Sequence, residues 1–289
     1  MTSLASDAAP ALRLRPDFRP AGVLCRTGNA LLIVGDCDDG PVVVKLLTDH
    51  RPPWERKSVA EIGVYRAFAR TAPPVRVPRL VAADERGHVL IIERVPGRHP
   101  VRDRDRHPTH AIHSDDVEAM LRAVTDLAAW NPPDPTFAPV SDVAERIVRY
   151  RRAGLVEDDD HQALLRLLTR TEDARQIAHG DPLPTNFLLA DDGTPTMLDW
   201  EFIGRYPPGY DLAVLWVLLW ATPGARDRIE GLMLDEPAPI RAAFALNRAV
   251  VLLRELRSHL RVPPSAWRDQ RLAVIRRDWQ NVRDRLRER

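Results

Sequence analysis

Apolar residues in the first 95 positions fall into short runs bounded by turn formers. Val23 to Cys25, Ala30 to Gly35 and Val42 to Leu47 are separated by Gly, Asn and Asp, and each predicts a strand. DCDDGP reads as the hairpin turn between the last two. Pro52 and Pro53 precede a helical pattern over Trp54 to Arg70, and TAPPVRVP ends it. Two further strands are expected near Arg79 to Ala82 and Val89 to Arg94, before VPGRHP breaks the pattern. The rest is mostly helical: Ser114 to Trp130, Val140 to Ala153, Asp159 to Thr171, Asp211 to Trp220, Ile240 to Leu260 and Pro264 to Arg289. Ser114 is the expected N-cap of its helix, and the acids of SDDVE suit a helix N-terminus. One short β-like patch covers Ile177 to Asp199. Strands first and helices later imply an α+β protein of two lobes, residues 1–95 and 96–289, with a hinge near Val95 to Gly97.

Composition narrows the function classes. A chain of 289 residues fits one large domain or two lobes. A formal charge of +1 gives no strong field for nucleic acid or an anionic membrane. Cys25 and Cys37 alone make no disulfide framework or usual zinc site, so they read as reduced and the protein as cytoplasmic. The N-terminus lacks the apolar core of a signal peptide, and the longest apolar run, Leu212 to Ala221, is too short to span a bilayer. Of 42 basic residues only Lys45 and Lys57 are lysines. Lys45 lies in VVVKLL, a strand pattern, where a merely solvated position would be expected to carry arginine. Lys57 reads as an ordinary exposed helix residue.

The chemistry concentrates in IAHGDPLPTNFLLADDGTPTMLDWE, residues Ile177 to Glu201. Singly, Asp and Asn here are turn residues. Together, Asp181, Asn186 five residues on, then a strand, a turn and Asp199 form the set needed for phosphoryl transfer. One carboxylate orients an attacking hydroxyl; a neutral oxygen and a second carboxylate hold magnesium beside the phosphates. HGDPLPTN with LDWE resembles the catalytic segment of the aminoglycoside phosphotransferase and choline kinase family of small-molecule kinases. That resemblance implies a two-lobed protein-kinase-like fold: a small antiparallel sheet with one key helix that binds nucleotide, then a larger helical catalytic and acceptor-binding lobe. It implies Asp181 as catalytic base and Asn186 and Asp199 as magnesium ligands. His179, Glu201 and Asp211 are implied as structural supports. Asp211, in GRYPPGYDLAVLWVLL, would accept N–H bonds from the catalytic loop; a plain helix cap is the alternative.

A kinase-like site needs a lysine on the third strand, paired with a glutamate from the next helix. Lys45 is on the third strand. At about 100° per residue, Trp54, Ser58, Glu61, Tyr65 and Phe68 share one face, whereas Glu55 points to its flank. Glu61 is therefore the expected partner. Thr27, Gly28 and Asn29 occupy the place of a phosphate-covering loop, without a GxGxxG; a plain hairpin is equally compatible. Adenine would bond to hinge backbone near Glu93 to Val95, a contact that does not select ATP over GTP. The expected cofactors are thus ATP or GTP and Mg2+, and the expected partner is a small hydroxyl acceptor bound by a monomer or homodimer. About a dozen residues separate Asp199 from Asp211, too few for a protein-kinase activation segment. The acceptor is expected to be an aminoglycoside or other antibiotic, with resistance or self-protection as the role. Alternatives are choline, a sugar, a nucleoside or homoserine, or a nucleotide-binding pseudokinase. EDDD, Glu157 to Asp160, is a candidate acidic patch for a polycation, or a solvated cap. Trp200, Trp216, Trp220, Trp267 and Trp279 are candidates for an aromatic cage, with Trp216 and Trp220 better read as core.

Overall fold

The computed structural model describes residues 4–101, 107–133, 136–138, 143–171 and 174–287. They form two compact units. The first runs through Arg98 and also takes in Pro132–Phe137 and Asn186–Ile203; the second holds His99–Asn131, Ala138–Thr185 and the chain from Gly204 onward.

The first unit opens with α1 (Leu4–Leu14), then β1 (Arg19–Arg26), β2 (Ala30–Cys37) and β3 (Gly40–Leu47). Next come α2 (Pro52–Arg70), β4 (Leu80–Asp84) and β5 (Val89–Glu93). The strands form one antiparallel sheet in the order β1-β2-β3-β5-β4. Side chains alternate across a strand, and β3 shows how the two faces divide. Val42, Val44 and Leu46 join Leu31, Ile33, Val89 and Ile91 in a core closed by Ala8 and Ala11 of α1 and by Phe18. Lys45 therefore points to the other face, where α2 lies. The apolar neighbours on both sides of Lys45 in the sequence are thus not its neighbours across the sheet. Helix α1 has no counterpart among the sequence expectations. Pro10 inside it argues against helix, and only burial against the sheet supplies the missing stability.

In the second unit α3 (Ser114–Ala129), α4 (Val143–Arg152), α5 (Asp158–Thr169) and β6 (Gln176–Ala178) come first. A turn of 3-10 helix, Pro184–Asn186, leads back into the first unit through β7 (Phe187–Leu189) and β8 (Pro195–Met197). The chain then returns to the second unit with β9 (Gly204–Tyr206), α6 (Tyr210–Leu218), α7 (Ala225–Leu232), α8 (Ala238–His259) and α9 (Ala266–Arg287). Every residue of α6 is buried, which explains its unbroken apolar sequence. The mixed architecture agrees with the α+β reading. Part of the helix expected from Val140, and the end of the one expected to Arg289, lie outside the described residues. No helix among the described residues is long and apolar enough to cross a membrane.

Three sequence expectations need correction. The N-cap of α3 is His113, whose Nδ1 accepts the Asp115 N–H at 3.3 Å, and Ser114 is the first helical residue. The EDDD run is not simply solvated: Asp160 is buried and pairs with Arg283 Nε at 2.7 Å, and Glu157 pairs with the same guanidinium. Trp200 is fully buried, edge-on to Phe68 of α2 with ring centroids 4.9 Å apart, so it belongs to the core and not to a cage.

Candidate functional site

In the first unit the β7–β8 hairpin is tied to the chain around Arg98. Arg98 N–H donates to Leu189 O at 3.0 Å, and Leu189 N–H returns a bond to Arg98 O at 2.8 Å. Gly97, at φ 150°, allows this close approach; a Cβ there would stand 2.9 Å from Leu189 O. Met197 N–H donates to Arg76 O at 2.9 Å. After the hairpin, Trp200 anchors the chain under α2, which leaves Asp199 and Glu201 on either side of a buried ring. Asp199 adopts a left-handed φ of 63°, a conformation that Asp tolerates better than most residues.

The result is a charge cluster. Lys45 Nζ lies 2.7 Å from Glu61 Oε2 and 2.6 Å from Asp199 Oδ1. Glu61 is 3 % exposed on the inner face of α2, beside buried Tyr65 and Phe68. Burial lifts the Glu61 carboxyl to about 7, with the Lys45 ammonium pulling it down and Asp199 pushing it up. For Lys45 burial favours the neutral amine, but the attraction of Asp199, Glu61 and Glu201 outweighs it and keeps the ammonium charged. Glu61, Asp199 and Glu201 place carboxylate oxygens within 4.8 Å of one another. Asn186 is buried where β7 begins, and its main-chain oxygen accepts the Leu198 N–H at 2.9 Å. These oxygen donors are the hard, small ligands that suit Mg2+.

Lys57 departs from the exposed role expected of it. Its Nζ lies 3.5 Å from Glu201 Oε1 and sits over the Phe202 ring at 3.6 Å and the Trp54 ring at 4.5 Å. Both lysines of the chain thus meet carboxylates of the LDWE segment. The missed signal was position: Lys57 falls four residues before Glu61, one turn away on the same side of α2.

Thr27, Gly28 and Asn29 make a tight, self-bonded turn. Thr27 Oγ1 accepts the Ala30 N–H at 3.0 Å, and Asn29 O accepts the Thr48 N–H at 2.8 Å. A side chain at Gly28 would meet no atom within 4 Å, so the fold itself does not demand glycine there. Asn29 lines a pocket shared with Lys45, Glu61, Ser58 and Glu201. At the end of β5, the Glu93 and Arg94 N–H groups are already bonded to Arg79 O and Pro41 O at 2.9 Å each; Val95 is buried.

The second unit holds the other candidates. Asp211 lies in the first turn of α6 and is 4 % exposed. It does not cap α6: Gly209, at φ 75°, takes that position. Its carboxylate instead accepts the His179 N–H at 2.6 Å and the Gly180 N–H at 3.0 Å. Burial pushes this carboxyl up to about 6, against the pull of His179 and of the two donors. Asn247, buried on α8, donates through Nδ2 to Pro207 O at 3.2 Å and Pro208 O at 2.8 Å and fixes the entry to α6. His179 is fully buried, and its Nδ1 accepts the Asp181 N–H at 3.4 Å. Asp181 is half-buried. The loop before Asp181 is therefore held from below by one carboxylate. Asp211→Ala would strand two buried N–H groups at about 1–3 kcal/mol each. We expect a loss of about 2–5 kcal/mol in urea unfolding together with reduced turnover; unchanged stability would show that the loop does not depend on Asp211.

Residues 29–245 match the model of the phosphotransferase enzyme family APH, well over half of the chain. The chain belongs to this family. Its fold is also that of several solved structures. Macrolide 2'-phosphotransferase MphH from Brachybacterium faecium, as apoenzyme, is 16 % identical, with 94 % of this chain and 98 % of that chain covered and a TM-score of 0.58. The ADP-bound aminoglycoside phosphotransferase APH(2'')-Ib is 12 % identical over 96 % and 99 %, at 0.61. Choline kinase LicA from Streptococcus pneumoniae is 14 % identical over 96 % and 97 %, at 0.58. No curated protein matches the sequence.

Proposed function

We propose that this phosphotransferase moves the γ-phosphoryl group of ATP to a hydroxyl of a small molecule, with an aminoglycoside or other hydroxylated antibiotic as the first candidate acceptor. The contact of Lys45 Nζ with both Glu61 and Asp199 carries this reading. A buried carboxylate holds the ammonium in place, and a second carboxylate suited to a metal lies within hydrogen-bond reach. In this reading Lys45, positioned by Glu61, binds the nucleotide phosphates, the Thr27–Asn29 turn lies near them, and backbone around Glu93 to Val95 meets the base. Asn186 and Asp199 would hold Mg2+, which when bound neutralises charge on the phosphates. The Asp181 carboxylate accepts the proton of the acceptor hydroxyl as its oxygen bonds to phosphorus and ADP leaves. His179 and Asp211 keep the Asp181 loop in shape, and Lys57 restrains Glu201. Most of the acceleration comes from positioning and charge neutralisation.

A small acceptor is supported by the short path from Asp199 to Asp211. Gly204–Tyr206 in that path is occupied in pairing with β6, so little chain remains for a peptide-binding segment. The proteins of similar fold include a macrolide phosphotransferase, an aminoglycoside phosphotransferase bound to streptomycin and a choline kinase. An ADP-release screen over aminoglycosides, other hydroxylated antibiotics, nucleosides, sugars and amino alcohols, with Mg2+ present, tests the proposal. At least one acceptor is expected to raise turnover clearly above the acceptor-free rate. A flat screen with intact nucleotide binding would favour a regulatory pseudokinase.

A further inference from the structure

We propose that the first unit carries a second, separate metal site, formed by His50, Glu55 and His88 and suited to a divalent transition-metal ion such as Zn2+. The residues come from three pieces of chain: the loop after β3, the first turn of α2 and the turn between β4 and β5. One oxygen, Glu55 Oε1, lies 3.5 Å from His50 Nδ1 and 3.7 Å from His88 Nε2. All three residues place ligand atoms within 4.8 Å of one another. Those separations are too long for hydrogen bonds. They are close to the roughly 3.4 Å edge between ligands of a tetrahedral zinc ion bound at about 2.1 Å. The imidazole rings are 5.7 Å apart and tilted by 59°, so they converge on the carboxylate instead of stacking.

His88 supplies an independent observation. Its φ of 51° is left-handed, and Asp199 is the other non-glycine residue in that region among those described. Such a conformation costs energy that glycine would avoid, and it persists where the surroundings hold it. Here it turns a mostly buried ring toward α2, while the His88 carbonyl accepts the Leu47 N–H at 3.3 Å. His88 Nδ1 is buried without a hydrogen-bond partner, which leaves Nε2 as the nitrogen with a polar neighbour. The nearby Arg51 is bonded to Asp49 at 2.5 Å, so its charge is met within its own loop.

Two imidazoles and one carboxylate select zinc, nickel or copper over magnesium, whose proposed ligands are all oxygens. A metal here would pin the first turn of α2 to the sheet. Glu61 lies six residues further along that helix, about 9 Å at its usual rise, and His88, Lys45 and Glu61 line one pocket.

The test is calorimetric titration of the metal-stripped protein with ZnCl2, repeated with CoCl2 to read ligand-field absorbance. The expected result is a single stoichiometric event that MgCl2 does not displace. His50→Ala should weaken it at least about tenfold, the scale seen when even outer partners of a metal ligand are lost. His50→Ala/Glu55→Gln should remove it, with an unchanged far-ultraviolet spectrum. His50 and Glu55 are partly exposed, so both variants are expected to fold. Absence of stoichiometric binding in the wild type overturns the proposal. So does binding that survives the double variant, which would point to the His107–Glu255–His259 cluster instead.

Discussion

Asp181→Asn is expected to lower kcat by about 10²–10⁴-fold, the range for loss of a general base, with nucleotide affinity nearly unchanged. Asparagine keeps the shape of the side chain and removes only its capacity to take a proton. Asp181 lies outside the Lys45–Glu61–Asp199 cluster, in the other compact unit. The loop geometry should also survive, because the bonds of Asp211 reach the His179 and Gly180 main chain and not the Asp181 carboxylate. The decisive comparison is kcat against nucleotide Kd in the same variant. Retention of more than a tenth of wild-type kcat would remove Asp181 from the base role. Equal loss of binding and turnover would mean that the substitution disturbed the fold.

Lys45→Met should be the second large effect, and it should act on stability as well as activity. The variant leaves Glu61 buried with Asp199 and Glu201 nearby and no cation between them. Breaking a buried pair from one side costs about 3–5 kcal/mol. The lower end is expected, because a carboxyl already lifted to about 7 by burial takes up a proton once the ammonium is gone. Lys45→Met/Glu61→Leu should recover most of that stability, since an apolar pair of similar volume is often neutral there. It should not recover activity, because neither variant has a cation for the phosphates. Urea unfolding and nucleotide titration on both variants separate the two roles. Turnover near wild type in the double variant would rule out Lys45 as the phosphate-binding group.

Much of the proposed site was legible because it is local in sequence or follows from periodicity. HGDPLPTN and LDWE lie within 25 positions, Ile177 to Glu201, and their residue types are the ones the proposed phosphoryl transfer would need. Glu61 could be chosen over Glu55 by helical phase alone, since α2 turns one face to the sheet. Helix α2 itself ends where expected, at Arg70, and begins two residues earlier, because its prolines occupy the first turn instead of preceding it. Less visible was any feature whose partner is distant. Lys57 looked exposed because its carboxylate partner, Glu201, is 144 residues away. Asp160 looked solvated because Arg283 arrives from the last helix.

The sequence by itself determined the α+β class, most of the elements and the Lys45–Glu61 pairing, and it supplied the segment proposed here as catalytic; all of these rest on short-range pattern and side-chain chemistry. Tertiary structure decided which face of β3 is core, because α1 has too weak a pattern to announce that it covers the sheet. It also decided that Trp200 is an anchor, that Asp211 serves the His179–Gly180 backbone, and that two histidines and Glu55 converge beside α2. Each of those depends on a contact between segments far apart in the chain. Only packing that buries apolar surface and satisfies the enclosed polar groups brings such segments together.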